Sequence, residues 1–374
     1  MTDELLYLWF GMMGRLTHTV KMNIVMHYGG LKSLWDIKES TLRSELTGKQ
    51  ADAILEYRNE QVVVSYEAAL RRRGVMYTYP GDKYYPERLY DIPDPPLLLF
   101  AMGNMDILRH MDKALAVVGA RKASMYGRGV AERMITELAG SGITIVSGMA
   151  LGIDGIAHRS AIETGSDTVA VLGSGINVPY PAENRDIYQR ICAGAGVVVS
   201  EYGLDVRPDA FRFPYRNRII SGMSDGVLVI EAREKSGSLI TADQALEQGR
   251  DVYAVPGRVT DTGSSGCNNL IKMGAGCATC AGDILDSFGI KCLDYAKKRR
   301  PEGRVGDTSE DAFNKKLLAP AEKKVYSCVR LEPRHVDDIC LESGISVSEV
   351  TQILFDLEQK KLVKQLVRNY YIRI

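Results

Sequence analysis

The feature that most constrains the fold is a series of short, β-branched apolar runs separated by helix-length intervals. They are Leu97 to Phe100, Leu115 to Val118, Ile143 to Val146, Thr168 to Leu172, Val197 to Val199, Val227 to Ile230 and Val252 to Val255. Their residues are apolar at successive positions rather than alternate ones, which suits strands buried on both faces. Intervening segments such as Gly127 to Ala139 are long enough for crossover helices. The runs therefore predict an open, doubly wound, mostly parallel α/β sheet with right-handed connections.

Ligands of such sheets sit beyond the carboxyl ends of the strands. The segments that follow the runs are Gly119-Ala120-Arg121-Lys122, Ser147-Gly148-Met149, Gly173-Ser174-Gly175, Glu201-Tyr202-Gly203, Glu231-Ala232-Arg233 and Pro256-Gly257-Arg258, all expected along one edge. They do not make a dinucleotide fingerprint. Arg121 stands where a second glycine must admit a pyrophosphate, and Gly173-Ser174-Gly175 runs into Val178, Pro179 and Pro181, which oppose an immediate helix. No Walker loop is present either. No cofactor is expected.

Phosphate itself is a suitable ligand. A short Gly-rich turn opening a helix directs N–H groups and partial positive charge outward, and Arg121 and Lys122 add full charges. Ser236-Gly237-Ser238, ahead of the helical pattern from Leu239 to Gln248, offers a second helix N-terminus, whose hydroxyls serve either as caps or as phosphate donors. The stretch Arg207 to Arg218, RPDAFRFPYRNR, sets four arginines against one aspartate and interleaves Phe211, Phe213 and Tyr215. Rings that stack on bases and guanidinium groups that hold phosphates need no particular nucleotide sequence. The alternative is that the rings pack in the core and the arginines pair with carboxylates.

Charge does not oppose a polyanion. The 47 basic and 47 acidic side chains cancel, but charges are screened beyond about 8 Å, so the local balance in a groove decides. Seven cysteines, an odd number in a chain of 374 residues, do not suit a disulfide framework. With no leader-like segment and no apolar stretch near the ~20 residues that span a bilayer, a cytoplasmic, reduced protein is expected. Cys277-Ala278-Thr279-Cys280 lacks a second pair, so zinc is not expected. His158 reads as structural, and Glu201 and Glu231, at strand ends, are expected to orient arginines rather than act as acid and base.

Residues 1–72 read as a small module of short helices, with Gly29-Gly30 as a turn, Ser40-Thr41 as a cap and Thr47-Gly48-Lys49 as a break. A connector rich in Tyr, Pro and Gly then opens the α/β domain, placed at 73–290. Lys291 to Thr308, with Lys297-Lys298-Arg299-Arg300, reads as part of a linker over 291–313. Residues 314–374 predict helices at Ala321 to Val329, Val336 to Ser343 and Ser346 to Lys360, then an apolar hairpin. That is the order of a winged helix, with Gly344-Ile345-Ser346 as its turn. The third helix carries Ser348, Glu349, Thr351, Gln352, Asp356, Glu358 and Gln359 before its first lysine, so duplex DNA and a protein partner both stay open.

Read together, the ordered segments VVGARK, SGMALGIDGIAHRSA, VLGSGINVPYPAEN, FPYRNRIISGMSDGVLVIEA, SGSLITADQALEQGRDVYAVPG and NNLIKMGA resemble the DNA processing protein A family, DprA or Smf. The resemblance implies an extended Rossmann-like domain that binds single-stranded DNA. It further implies protection of incoming strands in natural transformation and loading of RecA in homologous recombination, without turnover and as a homodimer. The family's phosphate-gripping motif falls on Gly119, Ala120 and Arg121. Its basic pocket falls on Lys122, Arg212, Arg216, Asn217 and Arg218, surrounded by Ser147, Gly148, Ser236, Gly237 and Ser238, with Arg185 as a further member. The chain departs from the pattern at Met149 and Leu151, which replace a glycine and a basic residue. The first module resembles a sterile-alpha-motif domain, but its Gly-rich hairpin is degraded to Gly-Met-Met-Gly-Arg-Leu at residues 11–16. The rival class is a phosphoribohydrolase-like nucleotide-processing enzyme, whose Pro-Gly-Gly-x-Gly-Thr loop is missing.

Overall fold

The computed structural model describes residues 1–14, 16–290, 318–330, 333–360, 362–367 and 369–373. The chain divides into two compact units, Met1–Leu293 and Asp294–Ile374. The expected linker segment Lys291 to Thr308 lies outside the described residues.

The first unit begins with six helices, α1 (Asp3–Met12), α2 (His18–His27), α3 (Leu31–Asp36), α4 (Glu39–Glu45), α5 (Gly48–Leu55) and α6 (Glu60–Arg72). Gly29 and Gly30 turn the chain between α2 and α3 at φ of 74° and 126°, in the region where a side chain is disfavoured. Thr47 caps α5 in a box with Gln50. The cap expected at Ser40-Thr41 is a correction: α4 starts at Glu39 behind Lys38, and both hydroxyl residues lie inside the helix.

The sheet that follows has nine strands: β1 (Met76–Thr78), β2 (Leu99–Gly103), β3 (Ala114–Gly119), β4 (Thr144–Ser147), β5 (Thr168–Leu172), β6 (Val197–Ser200), β7 (Gly226–Ile230), β8 (Asp251–Ala254) and β9 (Gly276–Cys277). Their order is β1-β2-β6-β5-β4-β3-β7-β8-β9. The intervening helices are α7 (Asp106–Arg109), α8 (Met125–Gly140), α9 (Ile153–Glu163), α10 (Arg185–Arg190), α11 (Arg212–Gly222), α12 (Gly237–Glu247), α13 (Ser265–Lys272) and α14 (Ala281–Ser287). Strands 3 to 6 step one way from the centre and strands 7 to 9 the other, so the order reverses between β3 and β7. Apolar residues at successive positions are explained by burial on both faces. Leu115 and Val117 of β3 enter one core with Leu228 and Ile230 of β7, while Ala116, Val118, Val227 and Val229 enter another. Each such Val, Leu or Ile contributes about 1.5–3 kcal/mol on burial. A third cluster joins Leu8, Trp9 and Leu34 of the helical module to Phe100, Leu172 and Val198 of the sheet, giving the two a common core.

The run at Leu97 to Phe100, expected parallel, is corrected: β2 pairs antiparallel with both β1 and β6. An apolar run states burial, not direction, and no crossover helix leads into β2.

In the second unit, α15 (Pro320–Cys328), α16 (Val336–Ser343) and α17 (Val347–Gln359) pack around Val325, Tyr326, Ile339, Leu354 and Leu357. They pack with a three-stranded antiparallel sheet of β10 (Arg334–His335), β12 (Tyr370–Arg373) and β11 (Val363–Val367), in that order. Gly344, at φ 64°, ends α16 in the left-handed conformation, and Ser346 caps α17 two residues later. This is the predicted helix-turn-helix. Among the described residues no helix is long and apolar enough to cross a membrane.

Candidate nucleic-acid interface

The switch point between β3 and β7 carries a cleft of about 900 Å³. Its first wall is the turn after β3. Gly119 must be glycine here, since a Cβ would lie 2.0 Å from the carbonyl oxygen of Ile230 on the neighbouring strand. Ile153 N, at the start of α9, donates to Ala120 O at 3.2 Å and fixes the turn. Ser124 then caps α8, accepting from Gly127 N at 3.0 Å. Arg121 and Lys122 are left exposed between the two helix starts.

The opposite wall is the N-terminus of α12. Ser236 caps it, accepting from Ser238 N at 3.4 Å, and the two hydroxyls are 2.7 Å apart. The third side is the first turns of α11. The segment read as part of an arginine-aromatic stretch is thus helical from Arg212 onward. Of the expected site residues, Gly119, Ala120, Arg121, Lys122, Arg216, Asn217, Ser236, Gly237 and Ser238 line the cleft. Cationic Arg121, Lys122, Arg216, Arg233 and Lys235 meet the carboxylates of Asp154, Asp209, Glu231 and Asp261 there. Three of those carboxylates are engaged by backbone: Asp154 accepts from Gly148 N at 3.1 Å and Ala150 N at 3.3 Å, Glu231 from Ser124 N at 2.9 Å, and Asp261 from Gly263 N at 2.9 Å.

Arg216 forms the floor. Its Nη1 donates to Gly148 O at 2.8 Å and to Val171 O. Burial, assisted by the charge of Arg121, pushes the guanidinium down to about 10 against the pull of Asp154. Burial in turn raises the Asp154 carboxyl, opposed by Arg216 and the two backbone N–H groups. Above the floor, Phe213 stacks on Tyr180 with ring centroids 5.5 Å apart, and the Arg121 guanidinium lies 5.9 Å from the Phe213 centroid. Arg233 lies along the expected edge but was not named as a site residue, and Tyr180 and Lys235 escaped the sequence reading. The two basic residues carried a signal as the first cations after β7, whereas Tyr180 comes from a remote loop and carried none.

Five expected members do not line the cleft. Ser147 is buried and donates to Val117 O at 2.7 Å. Gly148 supports the floor, where a Cβ would meet Arg216 Nη2 at 2.7 Å. Arg185 opens α10, and Arg212 packs over Tyr202 and Phe211 at 4.9 and 5.4 Å. Arg218 points the other way. It holds Glu201 through both Nη atoms at 2.7 Å, donates from Nε to Asp94 O at 3.0 Å and covers Tyr215 at 3.9 Å. Tyr215 Oη donates to Asp94 at 2.6 Å, and His18 Nε2 of α2 lies 2.9 Å from the same carboxylate. Burial alone lowers the basicity of Arg218; the adjacent Glu201 outweighs it and raises it. Asp94 is held at about 2, because His18, Tyr215 and Arg218 overcome its burial.

Glu201 orients an arginine as expected. Glu231 is a correction: it accepts from both N and Oγ of Ser124 at 2.9 Å and so positions the start of α8 rather than an arginine. His158 is buried, with Nδ1 2.8 Å from Thr168 Oγ1. Cys280 donates its N–H to Asp283 in the cap of α14, at 3.1 Å.

A doubly wound sheet with a cleft of cations and aromatic rings at its switch point, on a chain that also carries a winged-helix unit, is an architecture suited to handling nucleic acid. The chain belongs to the DNA recombination-mediator protein A family, whose model matches residues 76–289, and the DprA winged helix domain matches residues 310–367. It is 45% identical over 207 residues to the DNA processing protein DprA of Streptococcus pneumoniae, covering 55% of this chain and 72% of that one. It is 32% identical over 366 residues to Protein Smf of Synechocystis, covering 91% and 92%. The X-ray structure of DprA from S. pneumoniae superposes with a TM-score of 0.64 at 34% identity, over 74% of this chain and 95% of that one. DprA from Helicobacter pylori, whose structure addresses its single-stranded DNA binding mode, superposes at 0.52 with 28% identity, over 57% and 95%.

Proposed function

We propose that this chain is a non-enzymatic, homodimeric binder of single-stranded DNA that protects incoming strands and presents them to the RecA recombinase in transformation and recombination. The observation that carries the reading is the cleft at the strand-order reversal. There the exposed Arg121 and Lys122 face the start of α12, beside the stacked Phe213 and Tyr180. Phosphates suit the turn and the helix start, and bases suit the rings, each stack being worth about 1–3 kcal/mol. Only a single strand leaves its bases free for that. The H. pylori relative supports the same ligand.

For the winged-helix unit, charge favours a protein partner over duplex DNA. α17 exposes Glu349, and Lys360 behind it is taken by Glu322 at 2.7 Å. The test of the main reading is fluorescence anisotropy with single-stranded and duplex oligonucleotides across a salt series. Single strands should bind more tightly, and Arg121→Ala should reduce the salt slope by about 0.7 for each phosphate that is no longer neutralised. An unchanged slope in both Arg121→Ala and Lys122→Ala overturns the site. Turnover of a nucleoside monophosphate overturns the non-enzymatic part.

A further inference from the structure

We infer that the DNA strand does not end in the cleft but continues over a lip made by the first turn of α8 and the loop at residues 256–263. This rests on the single-stranded DNA reading of the cleft. The lip is a built feature. Tyr126 Oη donates to Pro256 O at 2.7 Å, which ties α8 to the start of the loop. Glu231 packs at the other end: its Oε2 accepts from Ser124, and its Oε1 comes so close to Gly263 that a Cβ there would lie 2.9 Å away. Gly257 exchanges hydrogen bonds with Asn268 at 3.1 Å in both directions, fixing the loop base. Between these anchors Asp261 N donates to Arg258 O at 3.0 Å, closing a turn whose central residues are Val259 and Thr260.

Such turns favour Gly, Asn, Asp, Pro or Ser at their centre. Here Val259 is 95% exposed, and Met125 and Tyr126, on the segment that Tyr126 ties to this loop at Pro256, are 81% and 51% exposed. Single exposed apolar residues need no explanation, but three gathered on two mutually anchored segments do. Their setting selects the occupant. Ser124 and Asp261, which flank the lip, both line the cleft, so a ligand leaving the cleft on this side meets the lip next. Lys122 and Arg128 are exposed beside it, with the carboxylates of Asp261 and Glu231. Apolar and aromatic surface rimmed by cations suits unpaired bases on a phosphate chain, with Tyr126 already oriented by its hydrogen bond.

The experiment measures binding of oligothymidylates from about 4 to about 16 nucleotides, the range of single-strand site sizes. It compares the full chain with a Met125→Ser/Tyr126→Ala/Val259→Ser variant, Tyr126→Phe and Arg121→Ala. All three lip substitutions are at exposed positions. The lip variant should match the wild type on the shortest oligonucleotide and lose about tenfold on the longest, while Tyr126→Phe, which keeps the ring, should retain most of the gain. Equal affinities of lip variant and wild type at every length overturn the inference, as does an equal loss at every length. A change in oligomeric state without a length-dependent loss also overturns it, because the lip would then be a protein contact. Arg121→Ala reports on the cleft separately. If it leaves even the shortest oligonucleotide unaffected, the underlying reading fails; if it weakens that binding while the lip variant tracks the wild type, only the lip fails.

Discussion

Arg218 sits one turn from cleft residues yet faces away from them, and that orientation predicts a separation of stability from DNA binding. Its side chain is 7% exposed and that of Glu201 11% exposed, and both Nη atoms are bound to that carboxylate at 2.7 Å. Removing one partner of a buried pair leaves the other charge uncompensated, at a cost of about 3–5 kcal/mol. Glu201→Gln should fall in this range, and so should Arg218→Met, which also takes from Asp94 one of its partners. In a double-mutant cycle by urea denaturation the pair should couple by about 2–3 kcal/mol, because each substitution removes the reason for the other's cost. DNA binding supplies the second arm. At temperatures where the variants remain folded, Arg218→Met should keep the salt slope of the wild type, because its guanidinium reaches no part of the cleft, whereas Arg121→Ala should lower it. If Arg218→Met lost as much slope as Arg121→Ala with its unfolding midpoint unchanged, the assignment of Arg218 to the fold would be refuted.

Two further outcomes follow from buried groups. Gly119→Ala forces a Cβ to 2.0 Å from Ile230 O and 2.7 Å from Ile153 Cγ1, so β3 must move against β7 and α9; a loss of about 1–3 kcal/mol is expected in chemical denaturation, and an unchanged midpoint would show that the strands yield freely. Burial, assisted by the charge of Arg216, holds the His158 imidazole down at about 3. The unfolded chain takes up that proton near the ordinary value of about 6.5 and the folded chain does not, so this group's contribution is present above about 6.5 and is lost as pH falls toward about 3, by about 1.4 kcal/mol per pH unit. Relative to a His158→Gln variant, the wild type should show a steeper acid limb in stability against pH; parallel limbs would mean that the ring is protonated in the fold.

Much of this was legible from local pattern. Strand runs such as Thr168 to Leu172, the break at Thr47 to Lys49, the turn at Gly344 to Ser346 and the long motifs of the α/β domain are set by neighbours in the chain, and steric and burial preferences act at that range. They specified a doubly wound sheet, its phosphate-type turn at Gly119 to Lys122 and a winged-helix unit. The direction of β2 was not legible, because burial leaves pairing polarity open.

Nor did the arginine-rich stretch reveal which cations face a ligand. Arg216 and Arg218 are two positions apart on α11, about 200° around the helix, so one turns into the floor of the cleft and the other toward Glu201, Asp94 and His18. Composition named four arginines as one feature; the rotation of α11 against the sheet and the helical module divided them. The same packing brought Tyr180 onto Phe213 and tied the 256–263 loop to α8, contacts between segments tens of residues apart. Short-range preference and strand order set the strands, most of the helices and the place where the cleft opens, and these were readable along the chain. Which side chains reach the cleft depends on how helices fixed by distant contacts are turned, and no local pattern carries that.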